Sequence, residues 1–281
     1  MTGLILDQAP ERNFEEPKRI IDGALAETGR SIEPAERRLA TDGYSYTEDE
    51  FRTCFGEWWQ WNWDRATPLA LAQKPCGLLV AHVDAELARE VLKELLPHFD
   101  LGLVDRGVVE AGWSYYKGNY YEVNGEQIST TQEAQPLQHF PQMRLLIVSA
   151  METLDAPPQD DLLGSRLNVI CRRYESAKKD HIPMHFDKKD WFEEDVYGCV
   201  LANDSDRVLE FHDYGDSDEQ PEAQCYLLPE TPGTCFRQQG SARFQWKHGV
   251  APLTRGERMS ISWRWFKTEV QLEMAVDKDG P

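Results

Sequence analysis

The segment Arg258-Met259-Ser260-Ile261-Ser262-Trp263-Arg264 alternates polar and apolar side chains along its whole length. This period of two predicts a β-strand with one apolar face and one polar face. Two arginines on the polar face of a core strand need an anionic partner, because an unpaired buried charge is unfavourable. That partner is either the carboxylate of a bound ligand or a protein carboxylate such as Glu210 or Glu257.

Short strands separated by turn residues surround this segment in the sequence. They are predicted at residues 168–174, 184–187, 197–201, 208–212, 225–228, 233–237, 244–248 and 258–266. About eight short strands at this spacing are typical of a sandwich or an open barrel.

Helices are predicted ahead of the strands. Asp84 begins one that runs to about Leu96 and ends at Pro97, and a second covers residues 141–154. A short buried strand at residues 77–81 precedes both. We therefore expect an α+β fold with a mainly β core and supporting helices.

The first 76 residues form a predicted N-terminal extension that is partly helical. Residues 1–40 are polar and are expected to form a peripheral arm. Thr47 followed by Glu50 is a capping-box signature and predicts a helix start. Four tryptophans follow within residues 58–63, and they either stack nucleic-acid bases or pack the extension onto the main domain. Their flanks are not basic, which favours packing.

The predicted division of the chain has three parts. Residues 1–76 are the extension, 77–270 are the main domain, and 271–281 are a C-terminal tail. The 281 residues carry a net charge of −19, which argues against a nucleic-acid partner. Residues 165–270 hold 15 Lys and Arg against 18 Asp and Glu, a balance of −3, so the acidity belongs mainly to the first half.

The chain has the composition of a soluble globular protein, with 41% hydrophobic and 28% charged residues. No apolar run approaches the roughly 18 residues of a membrane helix, so no membrane partner is expected. The N-terminus lacks the features of a signal peptide. Six cysteines without CxxC spacing predict free thiols. We expect an intracellular protein, in the cytoplasm or the nucleus.

The stretch His185-Phe186-Asp187 carries the candidate chemistry. On a strand the two polar side chains point to the same face, so both can reach one metal ion. His248, at the end of a later predicted strand, can supply a third ligand. Two histidines and one carboxylate hold Fe(II) on one face and leave the other positions open. The alternative is three unrelated polar residues in a β-rich fold.

These motifs resemble those of the AlkB-like group of Fe(II)/2-oxoglutarate dioxygenases. The group has an HxD motif, a distal histidine within a stretch similar to residues 247–250, and a final strand reading RxNxxxR. Both arginines of residues 258–264 are in register, with Ser260 in place of Asn. The group's N-x-Y strand is matched by Arg172-Arg173-Tyr174, where only the tyrosine is kept. The resemblance covers roughly residues 77–267.

The resemblance implies a double-stranded β-helix (jelly roll) with supporting helices and an N-terminal helical extension. It implies Fe(II) bound by His185, Asp187 and His248, with 2-oxoglutarate and O2 as co-substrates. Arg258 would bind the distal carboxylate of 2-oxoglutarate, helped by Ser260 and Tyr174. Arg264 would either support that carboxylate or balance the charge of the metal-binding aspartate.

Substrate residues are implied at a lid and beside the HxD motif. Trp113 and Tyr120 resemble the group's nucleotide-recognition lid, whose aromatics would clamp a flipped base. The repair enzymes of the group have an acidic residue two positions after the metal aspartate, where this chain has Lys189. A lysine there would disfavour a cationic methylated base.

The resemblance therefore implies oxidative demethylation of alkylated nucleic-acid bases. A hydroxylase or demethylase of a protein side chain or a small molecule on the same core is the alternative, and it fits the acidity and Ser260. A metal-free binding module is a third hypothesis.

Overall fold

A computed structural model describes much of the chain. It covers residues 36–100, 107–112, 119–123, 126–130, 135–157, 162–164, 166–213 and 223–270, with the backbone alone for 119–123 and 126–130. The predicted arm up to residue 35 and the tail 271–281 lie outside these ranges.

Fifteen described strands and five described α-helices follow one another along the chain. The strands are β1 (Arg37–Leu39), β2 (Ser45–Thr47), β3 (Thr67–Leu71), β4 (Leu78–His82), β5 (Val108–Gly112), β6 (Asn119–Val123), β7 (Glu126–Thr130), β8 (Leu167–Glu175), β9 (Ile182–His185), β10 (Val196–Asn203), β11 (Glu210–Asp213), β12 (Gln224–Leu227), β13 (Thr234–Gln238), β14 (Lys247–Val250) and β15 (Glu257–Trp265). The helices are α1 (Glu48–Phe55), α2 (Trp59–Arg65), α3 (Ala85–Asp100), α4 (Pro141–Thr153) and α5 (Gly240–Phe244).

The last eight strands form the predicted double-stranded β-helix. Strands β8, β10, β13 and β15 lie in a sheet of order β4-β13-β10-β15-β8-β5, and β9, β11, β12 and β14 lie in one of order β2-β1-β3-β12-β11-β14-β9. Pairing among these eight strands is antiparallel. Successive strands thus alternate between two facing sheets, except for β11 and β12, which are neighbours in one sheet, and the prediction of a jelly roll with a mainly β core is confirmed.

The alternating pattern of β15 divides its side chains between two environments. Met259, Ile261 and Trp263 are buried against helices α3 and α4, which cover the outer face of the six-stranded sheet. Arg258 and Ser260 line a cavity between the two sheets. The polar face of the strand therefore points into the jelly roll, as required for a site there.

Three predicted element boundaries were wrong. Helix α3 continues through Pro97 to Asp100, because a proline this close to a helix end removes only one backbone hydrogen bond. Strand β9 ends at His185, so Asp187 lies in the segment that follows it. The strand predicted at 244–248 is instead helix α5 followed by β14, with His248 second in the strand.

The segment from residue 36 to 71 adds three strands to the seven-stranded sheet. Strand β3 pairs in parallel with β12 and antiparallel with β1, and these strands accompany helices α1 and α2 in the extension that was predicted to be partly helical. The predicted capping box is confirmed at Thr47 and Glu50, at the start of α1. Trp63 is buried, whereas Trp58 and Trp61 are 64% and 52% exposed. The predicted boundaries at residues 76 and 270 remain predictions.

None of the six cysteines, all of which lie in described segments, forms a disulfide. Among the described helices, none combines the length and the apolar character needed to cross a bilayer.

Candidate functional site

Three candidate metal ligands converge at the edge of the seven-stranded sheet. His248 on β14 is the register partner of His185 on β9, and their ring centroids lie 4.5 Å apart. Asp187 lies two residues beyond β9, with its Oδ2 3.8 Å from His248 Nε2. One ligand atom from each of the three residues lies within 4.8 Å of the other two. The predicted facial set is therefore assembled in space.

A close backbone approach brings the two histidine strands together. The pairing of β9 with β14 is irregular between His248 and Val250, where Gly249 lies. A Cβ atom on Gly249 would lie 2.7 Å from the carbonyl oxygen of Ile182. Glycine is thus required for the distance between these strands.

The donor set fits a divalent metal ion. The Nδ1 atom of His185 lies 2.8 Å from the carbonyl oxygen of Pro183. A carbonyl only accepts, so Nδ1 carries the proton and Nε2 is left with a free lone pair. Burial, reinforced by the nearby His185, lowers the pKa of His248 to about 3. The His248 imidazole is therefore available in the neutral form that binds metals.

Asp187 is held as a carboxylate by arginines. Arg264 Nη1 donates to its Oδ1 at 3.0 Å, and Arg243 Nη1 donates to its backbone oxygen at 2.9 Å. Burial alone raises the pKa of Asp187, but the positive charge of Arg264, ahead of smaller contributions from His248, His185 and Arg243, outweighs it and lowers the pKa to about 2. Two roles were considered for Arg264, and the contact seen in the structure is with the metal-binding aspartate.

A cavity of about 380 Å³ lies between the sheets and opens beside these ligands. Besides the three ligands, the polar part of its lining includes Arg172, Tyr174, Lys188, Arg258, Ser260 and Arg264, and most of the other lining residues are apolar. All the charged side chains of this polar part are positive. Such a cavity is suited to a small anionic ligand next to a metal ion.

Arg258 has a protein carboxylate as its partner. Its Nε and Nη2 atoms donate to the two oxygens of Glu230 at 2.8 and 2.6 Å, and its Nη1 donates to Ser260 Oγ at 2.9 Å. The sequence suggested Glu210 or Glu257 for such a pair. Glu257 instead pairs with Arg173. Glu230 follows β12 in the sequence and is brought next to Arg258 by the tertiary fold. No local sequence motif identifies it as the partner of Arg258.

The candidate substrate residues are described only in part. Trp113 and the side chain of Tyr120 lie outside the described residues. Lys189 is exposed, and its Nζ donates to the carbonyl oxygen of Phe244 at 3.2 Å. Its neighbour Lys188 lines the cavity, with Nζ 3.9 Å from the ring centroid of Trp191.

A second group of metal-ligand types lies on the outer face of the seven-stranded sheet. Glu210, His212 and Cys225 are all buried and have ligand atoms within 4.8 Å of one another. The Oε2 atom of Glu210 already accepts from Ser45 Oγ at 2.6 Å and lies 2.8 Å from His212 Nε2. Its other oxygen lies 3.6 Å from Arg37. The carboxylate of Glu210 is thus already engaged by protein groups.

Comparison with known proteins gives little further information. No protein-family model and no curated protein matches the chain. The solved structures similar to it include a prolyl-4-hydroxylase from Pseudomonas putida, at 13% sequence identity and a TM-score of 0.41 over 68% of this chain and 92% of that one. At this level of similarity the match assigns neither an activity nor a substrate.

Proposed function

We propose that this chain is an Fe(II)/2-oxoglutarate-dependent dioxygenase. The observation that carries the proposal is the convergence of His185, Asp187 and His248 at the wall of a positively charged cavity inside a jelly roll. Two histidines and a carboxylate bind Fe(II) while leaving positions for other ligands. A cavity rich in arginine next to that site suits an anionic co-substrate.

Each part of the site has a defined task in this proposal. Bound Fe(II), with 2-oxoglutarate and O2, would supply the oxidation of a substrate C–H bond. The hydrogen bond from His185 Nδ1 to Pro183 orients the imidazole so that Nε2 faces the metal position. Arg264 fixes one oxygen of Asp187 and leaves the other for the metal. Tyr174, Arg258 and Ser260, on neighbouring strands, are proposed to contact 2-oxoglutarate.

Oxidative demethylation of alkylated nucleic-acid bases is the first candidate reaction. It is supported by the AlkB-like motifs and by the aromatic pair Trp113 and Tyr120 in the sequence. Hydroxylation of an N-methyl group releases formaldehyde and the demethylated nitrogen.

Hydroxylation or demethylation of a protein side chain or a small molecule is the second candidate. It is favoured by Lys188, which lines the cavity and would repel a cationic methylated base. The net charge of −19 also disfavours a polyanionic nucleic acid.

The shared chemistry is tested by turnover of 2-oxoglutarate to succinate in full-length protein loaded with Fe(II). We expect His185→Ala and Asp187→Ala to reduce turnover to background, because each removes a ligand. His212→Ala, in the outer polar network, is the matched control and should keep turnover. Undiminished turnover in Asp187→Ala would disprove the metal assignment.

The substrate class is tested by formaldehyde release from methylated oligonucleotides and methylated peptides in parallel. Binding of single-stranded DNA or RNA at about 50 mM salt, weakening as salt rises, would support the first candidate. Absence of binding under that condition, with release from a peptide, would support the second.

A further inference from the structure

The charges of the cavity wall are unequally compensated. Three arginines line it, and two of them have carboxylate partners: Arg258 is paired with Glu230 and Arg264 with Asp187. The third, Arg172, has no carboxylate within ion-pair distance among the described residues. Its described contact is with the ring of Tyr174, 5.9 Å from the guanidinium carbon to the centroid. Among the three arginines, the positive charge available to a ligand is therefore that of Arg172; Lys188, which also lines the cavity, lies over the ring of Trp191.

The pairing of Arg258 with Glu230 is firmly held. The side chain of Glu230 is 0% exposed and that of Arg258 is 2% exposed. Glu230 also accepts from Asn203 Nδ2 at 2.8 Å and from the backbone N–H of Leu209 at 3.0 Å. Four hydrogen bonds thus hold this carboxylate in place, and moving it away from Arg258 would leave a buried charge unpaired. An incoming anion meets a pair that is already neutral.

Strand register places Arg172 within the same anion site. Arg172 on β8 is opposite Ser260 on β15, and Tyr174 is opposite Arg258. Ser260 Oγ already accepts from Arg258 Nη1, so its hydroxyl hydrogen can be directed to a ligand. Glu110, on the same face of β5, is hydrogen bonded to Asn168 at 2.6 Å and forms no ion pair with Arg172. The guanidinium of Arg172 is thus beside the polar residues of the cavity wall and open to a carboxylate.

We propose that Arg172 supplies the positive charge that holds a small carboxylate ligand in this cavity, and that Arg258 contributes hydrogen bonds to that ligand but no net charge. The inference deepens the proposed function, on which it rests for the identity of the ligand as 2-oxoglutarate. It assigns the charge of the anion site to strand β8, where the AlkB-like motif has a neutral asparagine.

Binding to metal-free, full-length protein tests the proposal without turnover. The probes are 2-oxoglutarate and succinate, with uncharged succinamide as the reference, measured by titration calorimetry. Arg172→Gln should weaken binding of both anions by about tenfold to a hundredfold, because a charge-assisted hydrogen bond is lost. Arg172→Lys should keep part of the affinity. Arg173→Gln is the matched control, since Arg173 pairs with Glu257 and does not line the cavity.

A second variant tests whether Arg172 supplies the charge that binds the ligand while the charge of Arg258 is neutralised by Glu230. Glu230→Gln removes the charge that compensates Arg258, so Arg172→Gln/Glu230→Gln should bind succinate more tightly than Arg172→Gln alone. Thermal denaturation verifies that each variant is folded. Unchanged succinate affinity in a folded Arg172→Gln protein would overturn the proposal, as would wild-type protein that binds none of the anions.

The outcomes separate this inference from the proposed function. Fe(II)-dependent turnover with the same KM for 2-oxoglutarate in wild type and Arg172→Gln would leave the function standing and reject the role of Arg172. Succinate binding that depends on Arg172, in a protein without 2-oxoglutarate turnover, would keep the anion site and reject the dioxygenase.

Discussion

Two polar clusters lie on opposite faces of the seven-stranded sheet, and only one has the features of a metal site. Both combine residue types that bind metals, at ligand-atom separations within 4.8 Å. On the inner face His185, Asp187 and His248 meet at an open cavity. On the outer face Glu210 and His212 are covered by the strands that carry Arg37 and Ser45.

The difference between the clusters is in the partners that their ligand atoms already have. Asp187 keeps Oδ2 toward His248, because its protein hydrogen bonds go to Oδ1 and the backbone oxygen. Glu210 has its Oε2 within hydrogen-bond distance of Ser45 and His212 and its Oε1 in an ion pair with Arg37. Ligand type and proximity are therefore insufficient to identify a metal site, and the free lone pairs must be counted as well.

The largest expected effect is loss of the metal. His248→Ala should abolish stoichiometric binding of Fe(II) or Mn(II), because one of three protein ligands is removed. His212→Ala should keep one metal ion per chain. Metal content after equilibrium dialysis measures both. Loss of the metal in His212→Ala, or two ions bound to the wild type, would show that the outer cluster is a metal site as well.

A variant in the outer cluster is expected to lower stability without affecting metal binding. Arg37→Met removes a partner of Ser45 and Glu210 and should lower the free energy of unfolding by about 3 kcal/mol, because a buried carboxylate loses its cation. Urea denaturation measures it, and metal content should be unchanged. A loss below about 0.5 kcal/mol would mean that the outer network contributes no more than a surface pair.

The distance between β9 and β14, the strands that carry His185 and His248, can be altered to test its effect on metal affinity. Gly249→Ala places a methyl group against the Ile182 carbonyl and should push β9 away from β14, which separates His185 from His248. We expect about tenfold weaker metal binding in a protein that still folds. Titration with Mn(II) alongside a denaturation curve checks both points. Unchanged affinity would mean that the segment around Asp187 adjusts to the shift.

The smallest expected effect is a pH dependence that belongs to the outer cluster. Burial raises the pKa of Glu210, but its hydrogen bond to His212 and the charges of His212 and Arg37 outweigh this and lower the pKa below the ordinary value of 4.5. The stability that Glu210 contributes is therefore complete above pH 4.5 and is lost as the pH falls toward its folded pKa.

Urea denaturation of wild type and Glu210→Gln at several pH values between about 3 and 6 measures this contribution. We expect the free energy of unfolding to fall less steeply below pH 4.5 in Glu210→Gln than in the wild type. Parallel curves would assign the acid sensitivity to other carboxylates.

Much of the fold could be predicted from local patterns. The alternation in residues 258–264 predicted strand β15, since a period of two is retained whenever one face is buried. The capping box at Thr47 and Glu50 predicted the start of α1 because both partners lie within one turn. The short helix at residues 240–244 was missed, and the strand predicted to begin at residue 244 begins at Lys247. Arg243 is fixed there by Asp187, 56 residues away in sequence, and no local pattern reports such a contact.

The sequence by itself determined which side chains alternate along each strand, and it supplied the candidate ligands and the two arginines of β15. Only the tertiary structure decided how these residues are partnered. It paired Arg258 with Glu230 and Arg264 with Asp187, and it left Arg172 facing the cavity. The physical reason is that periodicity is a property of neighbouring residues, whereas charge compensation depends on strands that meet across two sheets.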